Sequence, residues 1–176
     1  MMKHWMIAAV LVVLTGCAST GKDPVTVDMS GMTNEQATEQ LIEALKSESY
    51  QVKRASADRV LVDYDGSHFL LQPKLMPNGL DRVVITKYYA LHPDLAQTPE
   101  LLLIIGKLNQ QLDFAKFVVR DEGKAIEVRG AATFVDRISV LELTRFMDWT
   151  NQGLALLRQQ FPQAQPMAKE VRLNSL

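Results

Sequence analysis

Apolar and polar positions along this chain alternate in blocks of two different periods, set apart by turn-forming residues. Ala37, Leu41, Ala44 and Leu45 recur at helical spacing behind Thr33 and Gln36, which stand three apart as a capping box. A first helix is therefore expected to run to about residue 48. Strand-like runs follow at 50–55, 60–64, 68–72 and 80–91, the last rich in Val, Ile, Thr and Tyr. Asp65-Gly66 is a hairpin signal between the second and third runs, and Pro77-Asn78-Gly79 is a turn before the fourth.

The helical period returns after His92-Pro93. Thr98 is placed as an N-cap with Pro99 at the first helical position. Leu101, Ile104, Ile105, Leu108 and Leu112 form one stripe, and Leu102 and Leu103 widen it. This helix is therefore expected to be buried on more than one side. A strand at 116–121 sends Phe117 and Val119 one way and Lys116, Val118 and Arg120 the other. Beyond the Asp121-Glu122-Gly123-Lys124 turn, 125–134 alternates Ile126, Val128 and Phe134 against Glu127 and Arg129. Ser139 and Glu142 make a second capping box. Leu143, Phe146, Met147, Leu154 and Leu157 then mark a last helix that ends near Phe161-Pro162. The predicted order is α-β-β-β(-β)-α-β-β-α. It describes an α+β domain, an antiparallel meander with three helices, in which one face or edge of the sheet is exposed.

The N-terminal block follows neither rhythm. Lys3 precedes an apolar run at 5–14, about ten residues where a bilayer span needs roughly twenty. It has the length and flank of a secretory signal. Leu14-Thr15-Gly16-Cys17 then resembles a lipobox, in which small residues admit the backbone to a protease and the thiol takes a diacylglyceryl group. The expected organisation is a lipoprotein signal peptide at 1–16, lipidated Cys17 with a flexible tether to residue 31, one domain at 32–162 and a loose tail at 163–176. Fully extended, the fourteen residues 18–31 reach at most about 50 Å. Ala18, not Asp, follows the cysteine, which points to the outer membrane, with the domain facing the periplasm.

Charge narrows the partners. Nineteen Lys and Arg stand against twenty Asp and Glu, with no basic excess or stripe in the sequence, so no nucleic-acid partner is expected. Cys17 is the single cysteine, so lipidation leaves no thiol for a disulfide. Chemistry is sparse. The processed chain keeps two histidines, His68 and His92, neither at metal-ligand spacing. Asp63, Asp65 and His68 cluster at the Asp-Gly hairpin, where Asp is favoured for turn reasons alone. There is no phosphate-cradling glycine loop and no nucleophile elbow, so neither cofactor nor catalytic residue is assigned. Candidate binding-surface residues are Lys87, Tyr88 and Tyr89 on the long strand and Leu102 and Leu103 on the second helix.

The segment Leu108-Asn109-Gln110-Gln111-Leu112-Asp113-Phe114-Ala115-Lys116-Phe117 adds a resemblance. A helix ending in Leu-Asn, a short gap, a Phe-x-Lys-Phe strand entry and a Gly-containing turn together resemble the YbjN domain family over roughly 40–161. That resemblance implies a fold similar to type III secretion chaperones and a regulatory role in sensory transduction. It implies no enzymatic activity and carries no active-site residues. The lipoprotein signal departs from the family's common soluble form. Read from the residues, Asn109 bonds backbone groups near a helix end, and Phe114 and Phe117 cover the helix-to-sheet corner. The expected function is that of a membrane-anchored, non-catalytic module contacting an envelope protein or a second copy of itself. The alternatives are a cryptic envelope hydrolase or a carrier of a small apolar ligand.

Overall fold

A computed structural model of the chain describes residues 23–96, 98–113, 115–160, 162 and 168–173; the expected signal segment and Cys17 lie outside them. The fold is α+β, with three helices and a largely antiparallel sheet. In chain order the elements are β1 Thr26–Asp28, α1 Asn34–Ser47, β2 Gln51–Ser56, β3 Arg59–Tyr64, β4 Ser67–Lys74, β5 Asp81–Leu91 and α2 Pro99–Gln111. They continue with β6 Lys116–Arg120, β7 Ala125–Phe134, β8 Arg137–Ser139, α3 Val140–Gln160 and β9 Ala168–Glu170.

Local chemistry sets the boundaries where the sequence places them. The Thr33 hydroxyl accepts the Gln36 N–H at 3.2 Å, and the Gln36 amide oxygen accepts the Thr33 N–H at 2.9 Å. Ser139 and Glu142 repeat this reciprocal pair at α3, at 3.1 and 2.8 Å. The Thr98 hydroxyl caps α2 by accepting the Leu101 N–H, with Pro99 in the first turn. At the β3–β4 hairpin, Asp65 and Gly66 both take positive φ, 52° and 69°. Such turns twist with the strands that they join.

The large sheet runs β2-β3-β4-β5-β7-β6. Strands β5 and β6 each lie antiparallel to β7, so they are parallel to one another, and α2 makes the crossover with β7 seated between them. Two buried clusters occupy one face of this sheet. The first joins α1 (Ala37, Leu41, Leu45) and the start of α3 (Leu143, Met147) to Val60, Phe69, Leu71, Val83 and Ile85. The second joins α2 (Leu101, Ile105) and Leu154 of α3 to Tyr89, Phe117 and Val128. All of these strand residues share one face by register, so the alternate residues point away from the helices.

Three segments depart from the sequence reading. Residues 26–28, expected in the tether, form β1 and pair with β8, and Val27 is buried in the first cluster. Residues 168–170, expected in a loose tail, form β9 and pair with β5 opposite 89–91. Strand β4 pairs with β5 only through 70–74, so β9 continues its lane beyond the point where β4 leaves. Helix α2, expected to be buried on more than one side, leaves Leu102, Leu103 and Ile104 64, 67 and 46% exposed. Three- and four-residue steps keep Leu101 and Ile105 on the sheet while the residues between them turn outward.

Candidate functional site

The sheet face turned away from the helices carries the densest charge. One cross-strand row runs Lys53, Leu61, Leu70, Thr86, Arg129 and Lys116 across β2, β3, β4, β5, β7 and β6. The next row sets Tyr88 against Glu127 and Glu127 against Val118. By the same alternation Arg59, Lys74, Arg82, Arg120 and Lys169 share this face. Eight basic side chains of the strands therefore face two acidic strand residues, Asp63 and Glu127, and Asp58 of the β2–β3 turn. An even count over the whole chain hides this segregation. Its signal in the sequence is alternation within strands, as in Lys116-Phe117-Val118-Val119-Arg120, where the outward positions are basic at both ends.

Glu127 organises the centre of that face. It is 1% exposed, and its two oxygens accept from Arg120 Nε at 2.6 Å and Arg129 Nε at 2.7 Å. The arginines cover it while keeping 43 and 48% of their own side chains in solvent. The Glu127 carboxylate holds the Arg120 guanidinium charged beyond its ordinary range. Tyr88 sits beside this group with Arg59 also near. Burial and Glu127 raise its phenol pKa, and the three arginines pull it back down. At the β2 edge, Asp58 accepts from the Gln72 amide and lies 3.7 Å from Lys74 and 3.9 Å from Arg59.

Lys87 and Tyr89 lie on the opposite, helix-covered face and do not present themselves to a partner. Lys87 is 1% exposed and Tyr89 7%. Strand alternation puts Lys87 in line with Val83 and Ile85, where a charge is costly unless satisfied. Its ammonium donates to Asn151 Oδ1 of α3 at 3.0 Å, lies 3.2 Å from Glu170 Oε2, and stands 4.8 Å over the Phe69 ring. Burial lowers its pKa, and the Glu170 carboxylate partly restores it. The other Glu170 oxygen accepts the His68 N–H at 3.2 Å, at the fork where β9 replaces β4 beside β5. Tyr89 is tied to α3 by a bond that its hydroxyl accepts from Arg158. Of the three strand candidates, only the half-buried Tyr88 reaches an accessible face.

The second-helix candidates Leu102 and Leu103 are exposed, and with Ile104 they leave three successive apolar side chains splayed around the outer side of α2. The same helix explains the Leu-Asn motif. Asn109 donates through Nδ2 to the Phe117 carbonyl at 2.9 Å and accepts the Phe117 N–H at 2.7 Å through Oδ1. Its amide thus behaves like a residue of a neighbouring strand, satisfying the outward backbone pair of the edge strand β6. Unpaired edges invite association with other strands, and a covering side chain prevents it.

The hairpin cluster does not converge on a reaction centre. Asp63 and His68 are directly opposed, with Nε2 and Oδ2 4.0 Å apart, and Asp65 is exposed on the turn. Among the described residues no three His, Cys, Asp or Glu side chains are grouped to hold a metal ion. Two surface depressions lie elsewhere, one between Thr33, Glu39 and Arg54, the other along β1 beside Gln40 and Glu43. Among the described residues no helix is long and apolar enough to cross a membrane. The chain matches no protein-family model and no curated protein.

Proposed function

We propose that this chain is a bacterial envelope lipoprotein whose α+β domain is a non-catalytic, chaperone-like protein-binding module. In this reading lipid on Cys17 holds it to a membrane, the outer membrane by the sorting signal after the cysteine, with the domain in the periplasm. The observation that carries the binding function is the exposure of Leu102, Leu103 and Ile104 on the outer side of α2. Exposed apolar side chains that adjoin one another mark interaction sites more often than isolated ones do. Here the opposite side of the same helix is already committed to the core through Leu101 and Ile105. These three side chains are therefore surplus to folding and are presented on a rigid element. The partner is an envelope protein or a second copy of the chain.

A photo-reactive side chain placed at residue 103 in intact envelopes tests this. Cross-linking to a defined envelope protein or to itself, abolished by Leu102→Glu, is the expected result. A protein that stays monomeric and captures nothing beyond a Cys17→Ala control overturns it.

A further inference from the structure

We infer that the basic sheet face lies against an anionic lipid surface, as a second membrane contact of the anchored domain; the inference rests on the anchoring proposed above. Eight basic and two acidic side chains of the strands share this face, and Asp58 of the β2–β3 turn lies against Lys74 and Arg59, leaving eleven basic and seventeen acidic residues for the rest of the chain. A near-neutral protein thus has one strongly positive side. Of the two strand acids, Glu127 is engaged by Arg120 and Arg129, which fixes the two guanidinium groups in place with much of each still in water. Guanidinium groups suit phosphate oxygens because they offer several N–H donors in one plane. Between the basic residues run Leu61, Val84, Tyr88 and Val118, partly exposed and apolar or aromatic. Such a mixture suits the headgroup region of a bilayer, where amphipathic rings sit at the interface.

The chain length keeps the domain close enough for that face to reach the membrane. Strand β1 begins at Thr26, so nine peptide units separate the structured domain from Cys17. Their fully extended reach is about 30 Å, shorter than the tether expected from the sequence. A domain of this size has a radius of gyration of about 15 Å, so a 30 Å leash confines it to the surface while letting it turn one face inward. Anionic leaflets attract nearby Lys and Arg within about a Debye length, roughly 8 Å at physiological salt.

The test uses the processed chain from residue 17 with Cys17→Ser, so that no lipid contributes, and vesicles of phosphatidylcholine with or without phosphatidylglycerol. Co-sedimentation with the phosphatidylglycerol vesicles alone, lost at high salt, is expected. Each basic side chain contributes about a fivefold factor, so Lys53→Glu/Arg82→Glu lowers partitioning about twenty-five-fold or more. The helix-side pair Lys46→Glu/Lys107→Glu, with the same change in net charge, leaves it within a few-fold. Equal binding to both vesicle types, no binding, or an equal loss from both double variants overturns the inference. Tighter capture of a DNA oligonucleotide or of polyglutamate than of vesicles also overturns it, in favour of a soluble polyanion. Labelling of Cys17 with radioactive palmitate in cells reads the anchor separately. Lipidated Cys17 without vesicle binding discards the face and keeps the anchor. Vesicle binding without lipid on Cys17 upholds the face and discards the anchor.

Discussion

The Glu170 carboxylate lies 3.2 Å from the buried Lys87 ammonium and accepts the backbone N–H of His68 with its other oxygen. One side chain of a three-residue strand thus joins the C-terminal segment to two neighbouring strands and neutralises a charge in the core. Removing one partner of such a pair is costly because the other stays buried. The two partners are unequal: 2% of the Lys87 side chain is exposed against 24% of Glu170. Glu170→Ala is expected to cost about 3 kcal/mol, at the lower end for a broken buried pair because Asn151 still accepts from Lys87. Lys87→Met keeps the length and removes the charge, while Glu170 can be hydrated, so its cost should stay below about 1.5 kcal/mol. Urea unfolding of both variants and of Lys87→Met/Glu170→Ala gives the coupling. Equal losses from the two single substitutions would show that the carboxylate does not hold the lysine.

Asn109 is expected to act through the strand edge that it covers. Asn109→Ala strips both bonds from Phe117 and should cost about 1–3 kcal/mol. It also uncovers the edge of β6, so light scattering should report concentration-dependent association beyond that of the parent. Asn109→Asp keeps the acceptor and loses the donor, and should fall between the two. A stable, monomeric Asn109→Ala protein would return the motif to simple helix packing.

Acid should destabilise the domain from about pH 4 downward. The Asp58 carboxyl is held below its ordinary pKa chiefly by the Gln72 amide, then by Ser56, Lys74 and Arg59. Glu142 is held down by the N–H and hydroxyl of its capping partner Ser139. Lowered folded-state values mean that the unfolded chain binds more protons in acid. The stabilisation is therefore complete above the unfolded value near 4 and is lost as pH falls through the folded one. The urea midpoint should hold steady from pH 7 to about 5 and then decline, less steeply in Asp58→Asn. An acid limb that is the same in Asp58→Asn would assign the effect to other carboxyls.

Cys17→Ala should leave the domain folded and remove it from the membrane fraction, as an unprocessed or released chain. Circular dichroism of the domain should match the parent, because both described core clusters are built from residues 25 and beyond. A cleaved species that still fractionates tightly with membranes would contradict anchoring by lipid.

The elements were legible from sequence wherever their cause is local. The α3 capping box, the Thr98–Pro99 start of α2 and the 65–66 hairpin lie within a residue or two of their expected places, since each is decided by groups no more than four residues apart. Periodicity was less informative about how much of an apolar block is covered. It placed Leu101 and Ile105 of α2 on the core but wrongly put Ile104 in the same stripe, and could not tell that Leu102 and Leu103 meet solvent. It also could not rank Lys87 and Tyr89 below Tyr88, because alternation assigns faces without saying which face the helices take.

By itself, the sequence determined the α+β class, the helices and the main strands. Tertiary structure alone decided that β1 and β9 are strands, each three residues long and ordered by a partner far along the chain. It also decided that Lys87 is satisfied in the core, by Asn151 at a separation of 64 residues and by a carboxylate that also bonds His68 at a separation of 102. The basic face has the same origin. Its charges come from seven strands whose order is not their order in sequence, so no window along the chain contains it. Local propensity and period act over a few residues, whereas burial and charge clustering depend on which distant segments the core brings together.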